Sequence, residues 1–210
     1  MTTRMKLNPL ERWLGPPVRL ASLLAGYAVL AVTLVIGLEI LLRRGFGVSL
    51  QGADEYGGYM LAALTAIGAA YTLLERGHTR IEIIMERMPP PMRAGLNLIS
   101  AFMMSAIAIF LAWRSVLAVQ ESIEYRSLSG TPLMTPLWMP QSVWAGGMVL
   151  FAVVATCIAL HCLRLLISDW RAINRWYGIK TLSEEIEEVS ASIDVDAGSL
   201  EESVGKERSS

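Results

Sequence analysis

Few side chains in this sequence could do chemistry, and most of those lie in apolar surroundings. Glu39, Arg43, Glu55 and Arg114 sit within or beside long uncharged runs. A charge inside a bilayer is costly, so it is kept where it has a partner or a task. A carboxylate near a guanidinium can pin helices together, relay a proton or hold an ionic solute. Arg43 follows Glu39 by one helical turn, and the ends of the apolar runs place Glu39, Glu55 and Arg114 at a similar depth. We take the four as a structural cluster pinning the outer ends of the helices. A proton or substrate site is the alternative. It ranks lower because each group is near enough to an end to reach the interface.

Other chemistry lacks its residues. The chain has two histidines, His78 and His161. A bis-His haem needs both at one depth on facing helices, and His78 falls in a connector. His161 reads as an interfacial hydrogen-bonding residue. Cys157 and Cys162 lie five positions apart in one apolar run, so they face different directions and read as inert thiols. Phosphate loop, HExxH and nucleophile elbow are all missing. The expectation is no catalytic residue, no metal, no cofactor and no enzyme.

Composition sets the class. Of 210 residues, 53% are hydrophobic and 18% charged, with a formal net charge of −1 and a mean hydropathy of +0.45. This excludes an ordinary soluble domain and a disordered chain, and leaves no basic surplus for nucleic acid. The bilayer itself is the first partner. Four apolar runs are long enough to cross it, at about 20–42, 56–74, 94–119 and 139–167. We therefore expect an all-α membrane protein of four transmembrane helices with short interfacial helices.

Around this 20–167 membrane domain the chain divides further. Residues 1–19 form a leader in which Asn8 caps a short surface helix, with Leu7, Leu10, Trp13 and Leu14 on its apolar side. Gly15-Pro16-Pro17 is expected to stop that helix. The first run is too long for a cleaved signal and reads as a retained anchor. A second surface helix is expected from Thr79 to Met88, ended by Pro89-Pro90-Pro91. Residues 168–180 are juxtamembrane, and 181–210 form an acidic tail expected to be disordered. Lysine and arginine concentrate in the leader, in the connector between spans two and three, and after span four. The positive-inside bias then puts both termini in the cytoplasm.

Span two is the organising stretch. Gly58, Ala62, Ala66 and Ala70 recur every four residues. Apolar helices in lipid associate by close packing, which small side chains permit. The row is expected to pack within the bundle or to form a docking face for a partner subunit.

The order of short motifs resembles a known family over roughly Ala21 to Leu166. It has Arg44 and Phe46 after span one, Glu55 opening span two, and Gly68-Ala69-Ala70 leading to Glu75-Arg76-Gly77-His78. Pro136-Leu137-Trp138 then precedes span four, with Gly146 near its start. Together these resemble the four-helix, Q-type small permease subunit of the tripartite ATP-independent periplasmic (TRAP) transporters. The resemblance implies two partners, a large permease subunit and a periplasmic solute-binding protein. It implies a multi-pass protein of the bacterial inner membrane, serving as a fixed scaffold in secondary active uptake driven by a cation gradient. An autonomous homo-oligomeric exporter or channel is the alternative, and an assembly or sensor protein using its acidic tail is another.

Overall fold

The computed structural model describes residues 9–47, 52–75, 88–178 and 190. Residues 1–8, the 76–87 connector with its expected surface helix, and the 181–210 tail apart from Ser190 lie outside the described residues. The described chain folds into four long helices, α1 (Pro9–Phe46), α2 (Ala53–Leu74), α3 (Pro90–Glu124) and α4 (Trp138–Ser168), and a short one, α5 (Trp170–Tyr177). No strand occurs among the described residues. All four long helices are long and apolar enough to cross a membrane.

The helices outrun the apolar runs that announce them. α1 has 38 residues, α3 has 35 and α4 has 31. At about 1.5 Å per residue each is well over 40 Å long, beyond the ~30 Å hydrocarbon core. Hydropathy marks where lipid ends, whereas backbone hydrogen bonding continues into the interface. α3 starts four residues before its apolar run because Pro90 and Pro91 occupy the first turn, where a missing N–H costs nothing.

The leader is a correction. Gly15-Pro16-Pro17 does not stop a separate surface helix; α1 is continuous with both prolines inside it. Proline ordinarily breaks a helix by removing a hydrogen bond and crowding a carbonyl. Here Leu10, Leu14 and Val18, spaced by four on one face, all pack into the core cluster. That packing holds the first turns of α1 in line with the rest, as tertiary contacts do for prolines in membrane helices.

The long helices lie side by side rather than in a square. α1 packs on α2, α2 on α4, and α4 on α3, while α5 packs on both α3 and α4. Small side chains make these contacts. The buried residues of α3 are Ala94, Asn97, Ala101, Ser105, Ala108, Ala112, Ser115 and Ser122. They recur every three or four positions, apart from the last step, and form one continuous small face. α4 is also built mostly of small buried residues, Ala145, Gly147, Ala152, Ala155, Ala159 and Cys162, with Phe151, Val154 and Ile158 among them. The Ser105 and Thr156 hydroxyls meet across this seam at 3.1 Å.

Candidate functional site

The polar groups gather at the two ends of the row. At the loop end α1 and α3 finish, and α2 and α4 begin. There α2 starts after Gly52, whose φ of +94° a glycine adopts without strain and whose carbonyl accepts the Glu55 and Tyr56 amides at 3.1 and 3.2 Å. This turn projects Glu55 toward the connector between α3 and α4. One Glu55 oxygen accepts the Tyr59 hydroxyl at 2.5 Å, and the other accepts the Thr131 hydroxyl. The connector is itself a tight loop. Leu128 and Pro136 form an isolated antiparallel bridge, Ser129 N–H donates to the Thr135 carbonyl, and Thr135 N–H donates to Ser129 Oγ, both at 2.9 Å. Leu133 covers Gly52 so closely that a Cβ there would lie 2.0 Å from Leu133 Cδ1. A carboxylate and a leucine thus latch the α3–α4 connector onto the start of α2.

The four charged residues do not form one group. Glu39 is buried on α1 and pairs with Arg43 at 3.9 Å. Glu55 belongs to the latch. Arg114 is exposed on α3, which packs on neither α1 nor α2 to any extent, and it has no ion pair among the described residues. A pairing absent from the sequence reading lies at the opposite end. Arg19 of α1 binds Glu75, just past α2, with Nη2 and Nε at 2.7 and 3.0 Å from one oxygen.

The span-two row divides. Ala66 and Ala70 are fully buried, whereas Gly58 and Ala62 are exposed and a Cβ at Gly58 would meet nothing within 4 Å. The buried face of α2 in this stretch is Ala63, Ala66, Ala70 and Leu74. Its closest approach is to α4, where a Cβ on Gly147 would lie 2.7 Å from Ala66 Cβ and 3.2 Å from the Ile67 backbone nitrogen. Gly146, the glycine singled out by motif, is exposed with open space around it. Which of two adjacent glycines faces α2 depends on helix phase, which the motif does not encode. Arg44 and Phe46 are exposed at the end of α1, Pro136 is in the bridge, and Trp138 opens α4. Arg76 and His78 lie outside the described residues.

At the other end, the segment read as merely juxtamembrane contains α5. Asp169 breaks α4 with φ −157° and starts α5, its carboxylate accepting the Arg171 amide at 3.1 Å and its carbonyl the Ala172 amide at 3.0 Å. Asn174 then accepts from Asn97 of α3 at 3.1 Å and donates to the Pro90 carbonyl at 2.8 Å. Tyr177 meets His161 Nδ1 at 2.5 Å. Ala172, Ile173 and Tyr177 are buried. A Ser-Asp pair ahead of an aromatic amphipathic stretch was the available signal.

None of these groups forms a catalytic constellation, and no cluster of metal-ligating side chains occurs among the described residues. The arrangement fastens helices together. A family profile described as "Tripartite ATP-independent periplasmic transporters, DctQ component" matches residues 32–165, more than half of the chain. No curated protein matches it.

Proposed function

Because this chain belongs to the DctQ component family of the tripartite ATP-independent periplasmic transporters, we propose that it is the immobile wall against which a large permease subunit moves. The family is a transporter component and not an enzyme family, and the chain is a multi-pass membrane protein. The observation that carries the proposal is the side-by-side row α1–α2–α4–α3. A row leaves broad apolar faces bare. Leu24, Leu34 and Leu41 of α1 and Ile99, Ile107 and Phe110 of α3 are all more than half exposed. Bare faces of that extent suit both lipid and a larger membrane partner.

In this reading the partner carries the solute and cation sites, and a periplasmic receptor delivers the solute. Uptake is driven by a cation gradient. The lysine and arginine bias supports cytoplasmic termini in a bacterial inner membrane. The latch at Glu55 then faces the periplasm, where it keeps the connector rigid beneath the receptor. Gly58 and Ala62, exposed on α2, serve as the docking part of the small-residue row, and Ala66 and Ala70 as its packing part. The loop-end charges Glu39, Arg43, Glu55 and Arg114 act on stability, so Arg114→Ala is expected to weaken the assembled complex more than solute affinity.

A pull-down of the tagged chain from its native membrane, with mass spectrometry, tests the proposal. A much larger multi-spanning protein at near-equal stoichiometry is expected. A homo-oligomer without such a partner would instead establish the autonomous exporter or channel. Gly58→Leu refines the result, since open space around Gly58 lets the isolated chain accept the side chain. Wild-type co-purification of that variant would remove the docking role.

A further inference from the structure

α3 closes one end of the row. It packs on α4 and α5, and the face it turns the other way is bare. Met103, Ile107 and Phe110 are each more than half exposed on that face, and Arg114 is exposed with them. Their steps of four, three and four residues are the spacing of a seam between two helices. The buried Ser105, Ala108 and Ala112 lie on the opposite side, toward α4. Phe110 and Trp113 meet edge to face next to Arg114, with centroids 6.2 Å apart. The register of the row gives the depth of Arg114. Ser105 meets Thr156, so nine residues further on Arg114 stands level with Gly147, which meets Ala66 of α2. That level lies about 15 Å below the Glu55 latch and about 15 Å short of the end of α3. The ends of the apolar runs suggest a similar depth for Arg114 and Glu55, but the packed helices do not keep it.

We infer that this face of α3 receives one transmembrane helix of the large permease subunit, and that this helix carries an aspartate or glutamate at the depth of Arg114. The inference rests on the scaffold proposal for the existence of that subunit and adds where it sits and what it bears. Arg114 carries the argument. It has no ion pair and no hydrogen bond among the described residues. A guanidinium at this depth needs an anion, because lipid tails offer it nothing. Lipid phosphate is a poor source. The next exposed polar residue of α3 toward the loop end is Gln120, about 9 Å on. A helical Cα–Cβ bond slants toward the helix N-terminus, so that of Arg114 leads away from the loop-end headgroups and into the core. A second copy of this chain fits no better. Copies inserted the same way round would bring two Arg114 side chains to one depth, where like charges repel. The membrane carboxylates of such a copy stand too high. Glu55 belongs to the latch, and Glu39 lies just beyond Ile36, which meets Gly57 at the start of α2. An acidic helix of a different protein remains. An exposed arginine beside aromatic rings, central to an apolar face, is also the make-up of an interface hot spot.

Co-expression of the full chain with its large subunit, followed by photo-crosslinking and co-purification, tests this. A benzophenone side chain placed at Ile107 is expected to capture a segment of the large subunit that contains an aspartate or glutamate. Arg114→Leu should lower recovery of the large subunit about tenfold, and Arg114→Lys, which keeps the charge, should retain most of it. The isolated Arg114→Leu chain should melt like wild type, because Arg114 packs on nothing within it. Arg114→Glu combined with an arginine in place of the captured acid should restore the complex. Capture of a second copy, of lipid alone or of a segment without an acid would overturn the inference. So would wild-type recovery with Arg114→Leu, or a lowered melting temperature of that isolated variant. Each of these leaves the scaffold proposal standing as long as the wild-type chain recovers the large subunit. If wild type recovers none, the scaffold proposal fails and this inference falls with it.

Discussion

The α3–α4 seam and the α1–α2 pair solve the same problem differently. Each joins two apolar helices in a medium where burying apolar surface gains little. Along the seam, the small face of α3 packs on α4, the Ser105 and Thr156 hydroxyls meet across it, and α5 clamps one end. α1 buries only Gly15, Val18, Ala25 and Glu39 among its described residues, and a groove lined by both helices opens beside its contact with α2. The seam is held by shape. The pair combines a tight contact at Gly57 and Ile36 with an exposed ion pair at Arg19 and Glu75 and an open groove. In the proposed scaffold role each surface has a use, one stiff enough to resist its neighbour and one open enough to be covered.

The difference can be broken most sharply where α2 joins the seam. Gly147→Leu would drive a side chain into Ala66 and the Ile67 backbone and should cost about 3 kcal/mol. Gly146→Leu, one residue away in open space, should leave the chain near wild type. Thermal unfolding of the purified protein separates them, and equal melting temperatures would show that the α2–α4 contact is not tight. Next comes the latch that links the two regions. Glu55→Ala leaves the Thr131 and Tyr59 hydroxyls without their acceptor and should loosen the connector. Faster proteolysis within 127–137, with the seam intact, is the expected sign.

Smaller effects refine the picture. Asn97→Ala removes the α3 partner of Asn174 and should destabilise α5 by about 1 kcal/mol. Hydrogen exchange should rise in Trp170–Tyr177 and not in α1; a rise confined to α1 would refute the clamp. Least of all, Arg19→Gln should change folding stability by under about 1 kcal/mol, because the Arg19–Glu75 pair is solvent-exposed. A large loss there would mean that the α1–α2 pair depends on its ion pair, and the contrast with the seam would narrow.

Four spans and the family resemblance were legible because both depend on long-range composition and motif order. What escaped reading depends on phase and on tertiary context. Gly58, Ala62, Ala66 and Ala70 look like one row, yet each four-residue step turns the helix by about 40°, so the row drifts from the exposed face to the face against α4. Pro16 and Pro17 look like a stop until Leu10, Leu14 and Val18 are seen packed together. The deepest small-residue face was in plain view on span three, but its mixture of alanine and serine hides the period that Gly58 to Ala70 displays. Arg114 was grouped with Glu39 and Glu55 by depth alone, and depth does not say which helices are neighbours.

Asp169 sets an order of events. In a chain made from its N-terminus, α5 is synthesised after all four long helices. Its two anchors, Asn97 with the Pro90 carbonyl and His161, sit on α3 and α4, so it can close only when both are inserted and correctly paired. A mispaired seam would leave Ile173 and Tyr177 of α5 uncovered. An apolar segment left exposed is the kind of signal that quality-control proteases recognise. α5 would then also bear on which newly made copies survive.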